Sequence, residues 1–216
     1  MNRCQKIAII GGRGNGRVIA QIIADTRAAG MQNQVVGYLN DHEPEGSLIG
    51  EYPVLGKPCQ WRQLPPDTLL VAALLTVGKM QERTEMIEHF GIPAERLARV
   101  IHPTAVIADD VRIGPGSVIA SHVTCQPGST VGMNSIIRAG ANIGHDVKVD
   151  DFVDIGPNCT LCGYAVIEKG AHIAANAVVR DGISVGQYGV LSAGSVALKT
   201  IPSGTTWMGN PARRVG

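Results

Sequence analysis

The sequence predicts a small α/β domain with a parallel sheet over residues 1–101, followed by a parallel β-helix over residues 102–216. Three observations carry that expectation. A six-residue period runs through the second half, a strand, a glycine turn and a helix open the first, and the apolar residues include very few rings.

Every sixth residue from Ile107 to Ala197 gives sixteen positions, fourteen of them Ile, Val or Leu and the other two Cys125 and Ala197. Two residues before each lies a position that is Ala, Ser, Gly or Cys eleven times, Val four times and Ile once. A period of six matches neither a 3.6-residue helix nor an alternating strand. It matches a hexapeptide-repeat β-helix, in which three short faces make one coil of about 18 residues. The large aliphatic points inward, the small residue packs beside it, and Gly, Asn or Asp takes the corners. Sixteen hexads make about five coils, and the ends of such a stack need caps.

The first hundred residues follow a different pattern. Strands are expected at Lys6–Ile10, Val35–Leu39 and Leu69–Leu75, and helices at Arg17–Ala29, with Val18, Ile22 and Ile23 on one face, and at Gln81–Phe90. Glu43–Glu51 and Gln63–Asp67 read as loops, and the join falls near Ile101-His102-Pro103. This is an α/β pattern of about three strands.

Composition narrows the function. Lys+Arg 19 against Asp+Glu 18 leaves no basic footprint for nucleic acid. No apolar run reaches the length of a membrane helix, and MNRCQKIAIIGGRGNG is too broken by Gly and Arg for a signal segment. Five cysteines, an odd number, suit a reducing cytoplasm. Cys159-x-x-Cys162 has no second pair for zinc, and the repeat gives Cys125 and Cys159 packing positions while leaving Cys162 without a role.

Two features carry chemistry. Gly11-Gly12-Arg13-Gly14-Asn15-Gly16 lies between the first strand and helix, where glycines let a phosphate approach bare backbone N–H groups at the helix start. The spacing departs from the dinucleotide fingerprint, and the same glycines also suit a plain tight turn. With so few strands the turn suits a nucleotide-sugar diphosphate better than a dinucleotide. The second feature is Ile143-Gly144-His145-Asp146, which places an imidazole and a carboxylate at a coil corner just after an inward Ile. His145 is thereby a candidate general base with Asp146 as its orienting partner. Most of the other histidines read as solvated surface residues. His122, His145 and His172 lack the close pair that a zinc hydration site of this repeat class needs, so no metal is expected.

With these features in place, the whole chain resembles bacterial left-handed β-helix acyltransferases of the sialic acid O-acetyltransferase and bacillosamine-pathway type. The residues that carry the resemblance are the glycine turn, His102-Pro103-Thr104-Ala105, His145-Asp146 and the tail Met208-Gly209-Asn210-Pro211-Ala212-Arg213. The resemblance implies a Rossmann-like first domain, a left-handed helix, a homotrimer, and acetyl transfer from acetyl-CoA. It implies nucleotide-sugar contacts from Gly11, Arg13, Gly14, Asn15, Asn40, Asp41 and Gly78. It further implies an acetyl-CoA groove between subunits along Asp154, Gly163, Ala175 and Ala193. Two departures stand out: Asp146 replaces a frequent Glu, and Asn15 replaces a frequent His. The expected reaction is N-acetylation of a nucleotide-linked 4-amino-4,6-dideoxyhexose for surface polysaccharide or glycan synthesis. The alternatives are O-acetylation of sialic acid or another free sugar, and a structural β-helix scaffold with a vestigial first domain.

Overall fold

Ile7, Ala8, Ile9 and Ile10 are all 0% exposed, as a strand covered on both faces requires. They form β1 (Gln5–Ile10) in a computed structural model that describes residues 4–215. α1 (Asn15–Ala28) follows the glycine turn directly, then β2 (Asn33–Leu39), β3 (Leu48–Ile49), β4 (Tyr52–Gly56), β5 (Thr68–Ala72) and α2 (Met80–His89). The sheet order is β3-β4-β2-β1-β5. All neighbours are parallel except β3, which runs antiparallel to β4.

Several expectations need correction. The sheet has five strands, not three, because β3 and β4 occupy a stretch whose Gly50, Pro53 and Gly56 imitate a loop. A 3₁₀ helix at Pro58–Gln63 follows them. Val18 was expected on the apolar face of α1 but is 54% exposed, while Ile19, Ile22 and Ile23 are buried.

From Val106 to Ala197 the chain forms sixteen two-residue strands, each ending on one of the sixteen inward positions of the period. Each of the first thirteen pairs in parallel with the strand eighteen residues on, as Thr124–Cys125 does with Asn142–Ile143. The strands stack into three faces of a left-handed parallel β-helix. Ile137, Ile143, Ile155, Ile167 and Ile173 fill its axis at 0% exposure, and fully burying one such side chain contributes about 1.5–3 kcal/mol. Corners close in the left-handed backbone region, where several coils use a non-glycine residue such as Asn158 (φ 57°).

The first face begins with Val100–Ile101, runs through Val118–Ile119, Ile136–Ile137, Asp154–Ile155 and His172–Ile173, and ends in an antiparallel pair, Thr206–Gly209 and Ala212–Val215. That hairpin is the C-terminal cap. The outward residues Val100, Val118 and Ile136 are buried in a shared core with Ile19, Ile22 and Ile23 of α1. The α/β domain therefore packs on this face. His102 fastens the join, with Nε2 3.2 Å from Asp25 Oδ2 on α1 and Nδ1 accepting from the Thr104 N–H.

Candidate active site

The loops after β1, β2 and β5 all leave the carboxyl edge of the parallel sheet, where open α/β sheets bind ligands. β1 lies between β2 and β5, so the glycine turn stands where the strand order reverses. Gly11 (φ 132°) and Gly14 (φ 79°) take conformations that side chains rarely adopt. A Cβ on Gly11 would stand 3.2 Å from that of Ala73, so the β1 and β5 loops run in close contact. α1 starts with no side-chain cap and no acidic residue in its first turn. Its opening N–H groups are thereby suited to an anion.

The expected substrate contacts fall around this edge in different states. Asn40 is an organiser of the loops: its Nδ2 donates to Gly11 O at 3.0 Å, and its Oδ1 accepts the N–H groups of His42 and Glu43. Arg13 Nε donates to Glu43 Oε1 at 2.8 Å. That hydrogen bond raises the Arg13 pKa and lowers that of Glu43. Asp41 is exposed beside them, in a hollow of about 360 Å³ that also involves Lys57 and Gln60. Gly78 (φ 79°) stands in open space before α2.

Asn15 leads to residues that the sequence did not disclose. Its Nδ2 reaches Leu75 O at 3.4 Å, and its Oδ1 accepts from Arg138 Nη1 of the β-helix at 3.0 Å. Arg138 also donates from Nε and Nη2 to both oxygens of Asp154, at 2.8 and 3.1 Å. His172 Nδ1 lies 3.2 Å from Asp154 Oδ2, in ion-pair range but without hydrogen-bond alignment. Burial alone would raise the Asp154 pKa; the close His172 ring and the hydrogen-bonded Arg138 guanidinium outweigh it and hold the carboxyl below its ordinary range. Asn15 and Arg138 border a largely apolar cavity of about 350 Å³ between α1 and the first face, walled by Ile19, Ile22, Val118 and Ile136.

His145 and Asp146 stand on a corner between the second and third faces. His145 Nδ1 is 3.0 Å from Asp146 Oδ2, and both side chains are about half exposed (52% and 47%). With the carboxylate as acceptor, Nδ1 carries the proton and Nε2 is left as the basic nitrogen. The imidazole lies over Gly163 of the next coil, where a Cβ would come within 2.5 Å of Nε2. Asp146 takes φ 56°, and its carboxylate occupies the space that a side chain at Gly128 would fill.

The four expected groove residues do not form one line on a single chain. Gly163 lies under His145, whereas Ala175 and Ala193 are eighteen residues apart in one corner column. Asp154, expected along the groove, is 1% exposed and turned into the Arg138 pair, which leaves it almost no surface to offer. Nor does one chain bring His145 to the glycine turn. The corner that carries His145 lies across the coil from the face that the α/β domain covers.

Cys125 and Cys159 are buried, and burial pushes both thiols up to about 11. The packing role expected for them agrees with that. Among the described residues, no group of three or more His, Cys, Asp or Glu could hold a metal ion, and no helix is long and apolar enough to cross a membrane.

Comparison with known proteins places these features. Residues 6–90 match the family model described as PglD N-terminal domain. The chain is 32% identical over 118 residues to UDP-N-acetylbacillosamine N-acetyltransferase of Bacillus subtilis (strain 168), a match covering 52% of this chain and half the length of that curated relative. Along almost its full length it is similar to the acetyltransferase domain of PglB from Neisseria gonorrhoeae FA1090, solved with acetyl coenzyme A. That match has 31% identity, a TM-score of 0.83, and coverage of 98% of this chain and 99% of that one. A mutant of perosamine N-acetyltransferase from Caulobacter crescentus, solved with CoA and GDP-perosamine, matches at 25% identity and a TM-score of 0.82 over 97% and 96% of the two chains.

Proposed function

The chain belongs to the hexapeptide-repeat sugar acetyltransferases of the bacillosamine-pathway type, and on that footing we propose that it transfers an acetyl group from acetyl-CoA to the amine of a nucleotide-linked sugar. A 4-amino-4,6-dideoxyhexose is the acceptor that this reading specifies. One observation carries it: an uncapped helix N-terminus at the carboxyl edge of a parallel sheet shares its chain with a solvent-facing imidazole–carboxylate pair. The first suits a diphosphate, the second a proton transfer. Relatives solved with acetyl-CoA, or with CoA and GDP-perosamine, support both ligands.

In this mechanism the glycine turn and α1 hold the diphosphate, with Arg13, Asn15, Asn40, Asp41 and Gly78 around the nucleotide sugar. The sugar amine attacks the thioester carbonyl as His145 Nε2 takes its proton, and Asp146 stabilises the resulting imidazolium through Nδ1. Collapse of the tetrahedral adduct expels the CoA thiolate, to which His145 returns the proton. Orientation supplies much of the rate, since a neutral amine is already a competent nucleophile. The active assembly is a homotrimer, because a neighbouring copy must bring its glycine turn to the corner that carries His145. Gly163, Ala175 and Ala193 then line the acetyl-CoA groove, with Asp154 behind it. The enzyme acts in the cytoplasm, where acetyl-CoA and nucleotide sugars are made, and its product enters surface glycan synthesis.

Thiol release from acetyl-CoA tests this reading across UDP-, dTDP- and GDP-linked amino sugars, the same sugars without a nucleotide, and sialic acid. Release with a nucleotide-linked amine alone is the expected result; release with sialic acid alone would replace N- by O-acetylation.

A further inference from the structure

Three Phe or Tyr rings occupy left-handed corners of the β-helix: Phe152 (φ 58°), Tyr164 (φ 61°) and Tyr188 (φ 55°). Packing explains two of them. Phe152 is 3% exposed in the core shared with the α/β domain, and Tyr188 packs against that same core. Tyr164 is 61% exposed. Its ring meets the imidazole of His145 edge to face, with centroids 5.0 Å apart and planes at 87°. Its N–H donates to His145 O at 3.1 Å.

The corner column containing Tyr164 runs Gly128, Asp146, Tyr164, Gly182, all at positive φ. Glycine is the unstrained residue there, and the coils before Asp146 and after Tyr164 use it, at Gly128 and Gly182. Tyrosine at such a position is strained and gains little from burial, and strain of this kind collects at functional sites. The direction of the ring is set by the corner. Tyr188 leans back over Gly170 of its preceding coil; Tyr164, one coil earlier in the stack and one corner away, leans back likewise and finds His145.

We propose that Tyr164 is a positioning residue for His145, its ring being the third restraint on the imidazole after the Asp146 carboxylate and the bare backbone of Gly163. This rests on the reading of His145 as the general base. Asp146 fixes Nδ1, Gly163 admits the ring, and Tyr164 stops it swinging away from the corner into solvent. The hydroxyl has no part in this, so phenylalanine serves equally.

The test compares Tyr164→Gly, Tyr164→Phe and His145→Ala in the intact assembly, measuring kcat, KM for both substrates, melting temperature and oligomeric mass. The expected pattern is opposed: Tyr164→Gly melts higher, because strain is relieved, yet loses about tenfold in kcat with both KM values unchanged. A full ångström of misplacement would cost about 10²-fold. Tyr164→Phe keeps wild-type kcat. If His145→Ala abolishes turnover while Tyr164→Gly keeps it, the positioning role is overturned and the general base stands. If His145→Ala itself turns over normally, the general-base reading falls and this proposal with it. A raised KM for either substrate, or dissociation of the assembly, would make the ring a binding or interface contact and also overturn the proposal.

Discussion

Arg138 Nη1 donates to Asn15 Oδ1 across 3.0 Å, joining the first residue of α1 to the β-helix 123 positions away. The same guanidinium holds the buried carboxylate of Asp154. The start of α1 is therefore anchored to the β-helix through an ion pair. Arg138→Met leaves Asp154 charged, buried and without its main partner, and breaking such a pair costs about 3–5 kcal/mol. Denaturant titration should show a loss of that order, and Arg138→Met/Asp154→Leu should recover most of it, since no unpaired carboxylate then remains in the site.

The same pair sets an acid limit. The folded-state pKa of Asp154 is held below its ordinary 3.8, so the unfolded chain binds the proton first as pH falls. The stabilisation is complete above pH 3.8, and is lost as pH drops through the folded-state value. Melting temperature measured between pH 7 and pH 3 should fall more steeply in the acid range for the wild type than for Arg138→Met/Asp154→Leu. Equal slopes would remove Asp154 from the acid response.

Gly163→Ala tests the seat of the imidazole. The glycine has an ordinary φ, so alanine fits the backbone, but its Cβ would stand 2.5 Å from His145 Nε2 and 2.6 Å from Cε1. The ring must move. Displacement near one ångström lowers kcat/KM about 10²-fold, while melting temperature changes little because the coil interior is untouched. Steady-state kinetics beside calorimetry separates the two effects.

Gly12→Ala tests the loop clip. A Cβ at Gly12 would run into the Asn40 amide, which donates to Gly11 O. With the loops parted, KM for the nucleotide sugar should rise roughly tenfold, about 1.4 kcal/mol, with kcat preserved. KM for acetyl-CoA should stay unchanged.

Much of this was legible in the sequence. The hexads from Ile107 to Ala197 fixed the register of every coil, because only a six-residue repeat places aliphatics on one narrow axis. The glycine turn and His145-Asp146 were visible because their residue types are rare in that context. β3 and β4 were not: Gly50, Pro53 and Gly56 punctuate them like a loop, and strand pairing overrode that signal. The Arg138–Asp154–Asn15 link was hidden because its members are 16 and 123 residues apart. One clue was available. The outward column Val100, Val118, Ile136, Asp154, His172, Val190 is apolar at four of six places, which marks a covered face and makes its two polar members conspicuous.

Thiol chemistry gives an independent check on the β-helix interior. Cys4 and Cys59 are exposed, while Cys125 and Cys159 are buried with thiols pushed up to about 11. Brief alkylation at pH 8 followed by mass spectrometry should label the first two and spare the second two until the protein is denatured. Rapid labelling of Cys159 in the native state would contradict its place in the core.

The central claim, that His145 is the base for acetyl transfer to a nucleotide-linked amine, is tested most directly by one rate. That rate is kcat for acetyl transfer from acetyl-CoA to the preferred nucleotide amino sugar, compared between wild type and His145→Ala. The account predicts turnover by the wild type and a loss of about 10²–10⁴-fold in the variant, the usual contribution of a positioned general base. Equal rates in the two proteins would contradict it.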